Sequence, residues 1–178
     1  PTFGSEPGMS FFVNVMTIFD DGNGPGLYAG GWFITAGGVP ANHIARWDGS
    51  RWTPLGDGLS APVEAMAVFD DGSGPALFAG GDFLAAGGQG VNHIARWDGA
   101  DWTALADGTG GRVLALAVFE DANGPALYAA GDFLTAGGNP ASRIARWDGS
   151  GWSALGSGLN ARVESLIVFD DGNGAALY

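Results

Sequence analysis

Acidic residues recur in pairs inside turn-forming segments: Asp20-Asp21-Gly22-Asn23, Asp70-Asp71-Gly72-Ser73, Glu120-Asp121-Ala122-Asn123 and Asp170-Asp171-Gly172-Asn173. Carboxylates and amides are hard oxygen donors of the kind Ca²⁺ takes. Asp20, Asp21, Asp70, Asp71, Asp121, Asp170 and Asp171 are therefore the candidate cation ligands. Their adjacency does not reproduce the alternating ligand positions of an EF-hand loop. The preferred reading is a solvated turn whose side chains bond their own backbone. On that reading no cofactor is required, Ca²⁺ is the alternative, and changes at Asp71 leave stability nearly unaltered.

A second set of charges pairs Arg46 with Asp48, Arg96 with Asp98 and Arg146 with Asp148, two residues apart and on one side of a strand. A ring of such charge would bind anionic ligands. The structural alternative, an ion pair between neighbouring units or a bond to turn backbone, is preferred because the planar, always-charged guanidinium suits it. His43 and His93 share one position, where the third copy has Arg143. Two imidazoles in different units do not make a metal site, and a cationic or hydrogen-bonding residue at a strand end accounts for all three copies. Trp32 stands where the other copies have Asp82 and Asp132. An exposed indole there would bind a sugar or a partner surface; the alternative is packing against the irregular N-terminal segment. Trp32, His43 and His93 are the candidate binding residues. No G-x-S-x-G elbow, H-E-x-x-H pair or phosphate-binding loop occurs in the chain. Equivalent loops carry nearly equivalent residues, whereas catalysis needs different residue types converging on one atom. The reading is therefore non-catalytic.

What must position these residues is a repeat. Phe19, Phe69, Phe119 and Phe169 are spaced by 50, as are Trp47, Trp97 and Trp147, and again Trp52, Trp102 and Trp152. Ile44-Ala45-Arg46-Trp47-Asp48-Gly49 returns unchanged at Ile94 to Gly99 and at Ile144 to Gly149. With 33 Gly among 178 residues, long helices are excluded, since each Gly costs about 1 kcal/mol there relative to Ala. In the second period four strands are expected: Val63 to Phe69, Ala76 to Gly81, His93 to Trp97 and Trp102 to Leu105. Asp70 to Pro75 and Asp98-Gly99 are the turns, and a longer connection contains Gly87-Gly88. Ile94 and Trp97 have opposite parity on one strand, so both faces of the sheet are apolar and each needs a neighbouring sheet. Trp97 is expected to be buried between sheets.

The run Leu77-Phe78-Ala79-Gly80-Gly81, then Trp97, then Trp102 resembles a kelch repeat, and is similar to propeller repeats of bacterial secreted proteins and of fungal cortical polarity markers. Departures are Trp where kelch usually has Tyr, the extra Gly87-Gly88 doublet, and Ala130 in place of the first Gly of the third doublet. The resemblance implies an all-β β-propeller of four-stranded antiparallel blades. The expected organisation is a partial propeller of about three and a half blades, against the about 4 to 8 of a closed ring. Residues 1–10 are read as a remnant of a preceding blade, residues 11–60, 61–110 and 111–160 as blades, and residues 161–178 as a partial blade. An open stack of sheets is the alternative.

Aliphatic and aromatic residues make up 46% of the chain, enough for a core, and the net charge is −12 with every cation an Arg. Such a chain repels a phosphate backbone and anionic membranes, so nucleic-acid partners and membrane insertion are not expected. The absence of Cys excludes disulfides and thiolate chemistry. The expected role is a secreted or cell-surface binding or scaffold module for protein or glycan, with other copies or further blades of the same chain as additional partners. The alternatives are the propeller portion of a carbohydrate-active enzyme with its catalytic residues elsewhere, and a repeat protein that assembles into filaments.

Overall fold

The computed structural model describes residues 8–178, and among them there is no helix. The first repeat contributes β1 (Val13–Asp20), β2 (Pro25–Gly31), β3 (Thr35–Ala36), β4 (Val39–Pro40), β5 (Ile44–Trp47) and β6 (Trp52–Pro54). The second gives β7 (Val63–Asp70), β8 (Pro75–Gly81), β9 (Ala85–Ala86), β10 (Gln89–Gly90), β11 (Ile94–Trp97) and β12 (Trp102–Ala104). The third gives β13 (Arg112–Asp121), β14 (Gly124–Asp132), β15 (Thr135–Ala136), β16 (Asn139–Pro140), β17 (Ile144–Trp147) and β18 (Trp152–Ala154), and the fourth β19 (Val168–Asp170) and β20 (Ala175–Leu177).

Each complete repeat is one antiparallel four-stranded meander, ordered β1-β2-β5-β6 in the first and likewise in the next two. The remaining two strands form a separate hairpin between the second and third strands of the sheet. This hairpin is the connection that sequence pattern left without structure. Its turn is Gly87-Gly88 in the second repeat, both at positive φ (54° and 78°), which only Gly adopts without steric cost. The third strand of the second repeat starts at Ile94 and not at His93, because His93 sits in the left-handed region at φ 62°.

The sheets stack through their apolar faces. Phe19, Tyr28, Ile44 and Leu55 of the first repeat pack on Val63, Leu77, Phe83, Trp97 and Trp102 of the second in one core. Phe69, Phe78, Ile94 and Leu105 pack on Val113, Leu127, Phe133 and Trp147 in the next. Ala95 and Trp97 thus face one neighbour and Ile94 the other, as strand parity requires. First strands of successive sheets run beside one another, β1 by β7 and β7 by β13. Close approach is possible there because Gly80 has no side chain: a Cβ on it would lie 2.5 Å from Val113 Cγ1. Tryptophans of the third and fourth strands pack into the same cores. Trp97 and Trp102 have ring centroids 5.3 Å apart, and Trp102 Nε1 donates to Leu55 O of the preceding repeat at 3.0 Å. The linking segment is stitched on as well, with Leu59 bridging to Ala86, and Ser60 Oγ accepting the Leu84 and Ala85 N–H groups.

The middle sheet is therefore covered on both faces, while the ends of the stack are open. Met16 and Ile18 on the first sheet are exposed, although Met66, one period later, is buried. Repeated four-stranded antiparallel sheets packed face to face are compatible with a propeller-like repeat.

Candidate functional site

Two motifs that look separate in the sequence meet in the structure. β2 pairs with β5, so the arginine of β5 reaches back to the turn that opens β2. Arg46 lies 3.5 Å from Asp21, Arg96 lies 3.3 Å from Asp71, and Arg146 Nε donates to Asp121 Oδ2 at 3.0 Å. Each guanidinium also donates to a turn carbonyl: Gly24 O, Gly74 O and Gly124 O in turn. In the third repeat the Tyr128 hydroxyl adds a 2.7 Å bond to Asp121 Oδ2. That hydroxyl, the Asn123 N–H and Arg146 together hold the Asp121 carboxyl below the usual carboxylate range. The ion pairs lie within one sheet and not between sheets.

In the first, second and fourth turns the other acid caps its own backbone. Asp20 Oδ1 accepts the N–H groups of Gly22 and Gly24, Asp70 those of Gly72 and Gly74, and Asp170 those of Gly172 and Gly174. Among the described residues no group of three or more His, Asp or Glu converges on one point. Asp71 is not a solvated turn residue: its side chain is 7% exposed. Its place beside Arg96 argues against the expectation that a change at Asp71 leaves stability unaltered. Asp48, Asp98 and Asp148 cap the following hairpin, Asp48 Oδ1 accepting from Ser50 and Arg51. The Ser50 hydroxyl, with the N–H groups of Arg51 and Ser50, lowers the Asp48 carboxyl to about 2.

His43, His93 and Arg143 all have positive φ, between 62° and 69°. Their backbones knit the second strand to the third: Gly31 N–H donates to His43 O, and His43 N–H to Phe33 O. Burial depresses both imidazoles, and His93 keeps Asp82 at 3.9 Å. In the third repeat Arg143 pairs with Asp132. Asp82 also reaches Arg112 of the next repeat at 3.3 Å. Trp32 replaces that acid; its backbone N–H donates to Phe12 O at 2.8 Å and the residue is 46% exposed. The structure does not bring His43 and His93 together, since each serves its own sheet.

Sequence reasoning missed a surface feature. Ile34, Leu84 and Leu134 occupy one repeat position and are each more than half exposed. The signal was available: a large aliphatic residue at constant spacing, one residue after an invariably buried Phe33, Phe83 or Phe133. Phe11 and Phe12 are exposed near the same end of the first repeat as Trp32. Grooves also recur beside the tryptophan pairs. One of about 370 Å³ is lined by Gln89, Trp97, Asp101 and Trp102, and one of about 290 Å³ by Val39, Trp47, Arg51 and Trp52. Tryptophan is constant between them while Val39 becomes Gln89 and Arg51 becomes Asp101. No protein-family model matches the chain, and no curated protein or solved structure matches it.

Proposed function

We propose that the chain is a run of blades of a kelch-like β-propeller acting as a non-catalytic, secreted or cell-surface module that binds protein or glycan partners multivalently. The observation that carries this reading is the recurrence of an exposed aliphatic side chain, Ile34, Leu84 and Leu134, on equivalent loops. A residue held at one exposed position in each of the three complete units makes one weak contact per unit, and linked weak contacts multiply. The tryptophan grooves with changing walls support the same reading, since they offer one apolar surface under several polar rims.

The test uses immobilised glycan and extracellular-protein arrays, followed by titration of any hit. Ile34→Ser, Leu84→Ser and Leu134→Ser are each expected to weaken binding by a similar factor, and the triple variant to lose it, with Tm unchanged. Binding abolished by one substitution and indifferent to the other two would reject multivalency in favour of a single site.

A further inference from the structure

How closely successive sheets approach is set at one residue of the second strand. A Cβ on Gly30 would lie 2.6 Å from Val63 Cγ1 and 2.9 Å from Val63 Cβ. One period later, a Cβ on Gly80 would lie 2.5 Å from Val113 Cγ1 and 3.0 Å from Val113 Cβ. Carbon atoms in favourable contact stay about 3.5–4.0 Å apart, so at both positions the valine fills the space that any side chain would need. Val63 and Val113 are 0% exposed and belong to the cores between sheets. Valine is stiff at χ1, and its Cβ moves only with the backbone.

The third repeat departs from this rule, with Ala130 at the position of Gly30 and Gly80. Ala130 pairs with Ala115 on one side and Ile144 on the other, as Gly80 pairs with Ala65 and Ile94. Its methyl therefore points where Gly30 and Gly80 leave room, toward the following repeat. Val163 is the counterpart of Val63 and Val113, and its N–H donates to Gly131 O at 3.2 Å, next to Ala130. Seating Val163 as deeply as those two would require the sheets to stand about 1 Å farther apart. The obstruction belongs to Ala130 and to the complete four-stranded sheet that carries it.

We propose that Ala130 is a built-in spacer that makes the junction between the third and fourth units the loosest in the run. A gap of about 0.5–1 Å forfeits about a quarter to a half of each contact energy across it. The first three sheets, locked through Gly30 and Gly80, then move as one body, and the fourth unit swings on it. This inference is independent of multivalent binding at the exposed loops.

The chain has no Cys, so a single introduced thiol reports access to each junction. Val113→Cys and Val163→Cys are labelled with a maleimide in the whole native chain. The Val163→Cys thiol should react much faster than the Val113→Cys thiol. Adding Ala130→Gly should slow the Val163→Cys reaction several-fold, and adding Gly80→Ala should speed the Val113→Cys reaction. A Val163→Cys rate that Ala130→Gly leaves unchanged would overturn the proposal, because the methyl would then not be what holds the junction open. A folded Gly80→Ala variant with an unchanged Val113→Cys rate would overturn it too. If Gly80→Ala does not fold, the Ala130→Gly comparison, which only removes a methyl, decides the matter.

Discussion

Asp71 and Arg96 face each other at 3.3 Å with side chains 7% and 13% exposed. Removing one member of this half-buried pair leaves the other charge poorly solvated and unpaired, which costs about 1–3 kcal/mol. Asp71→Ala should therefore lower the urea midpoint with an unchanged m value, whereas substitution of the exposed Asp101 should not. The histidines give a pH signature. Burial holds the His43 and His93 imidazoles below the ordinary value of 6.5, against the pull of Asp82 on His93. The unfolded chain then takes up protons first on acidification. The stability they contribute is present above about pH 6.5 and is lost as pH falls from there through the folded pKa. His93→Arg, the choice made naturally at Arg143, should flatten the change in Tm between about pH 7 and pH 5. The acidic turn and the arginine motif were each legible in the sequence, at a constant offset of 25 residues. Their union was not, because it depends on the second and third strands being neighbours in the sheet. The left-handed backbone at His43 and His93 was also hidden, since an imidazole invites a chemical reading while the position is set by φ.

The sheet is the unit in which side-chain identity becomes packing. Strand and turn positions followed from alternation and from Asp-Gly chemistry, and the observed boundaries agree within a residue or two. The hairpins β3–β4, β9–β10 and β15–β16 were invisible because two-residue strands carry no hydrophobic period. The Gly-Gly doublet that breaks the family resemblance is their turn. Trp97 is 7% exposed and stacks at an angle on Trp102. Trp97→Ala should leave a cavity between the first two sheets and cost about 3–5 kcal/mol by denaturant unfolding. A cost below about 1 kcal/mol would mean that the gap closes when the indole is removed.

Across the molecule, each interior sheet is stabilised by neighbours on both faces, as expected for units too small to offset chain entropy alone. The ends differ: Met16 and Ile18 are exposed on the first sheet, and Ile167, Val168 and Phe169 in the fourth repeat, at positions equivalent or adjacent to buried core residues elsewhere. Period, strand order and the two-faced apolar character of every sheet were determined by the sequence alone, because turn chemistry and strand alternation act over a few residues and the repeat multiplies their signal. Which carboxylate meets which guanidinium, and which aliphatic side chains stay in solvent, were decided only by the tertiary structure. Those features depend on residues about 25 to 50 positions apart being brought together by sheet pairing and sheet stacking, and no local pattern encodes that proximity.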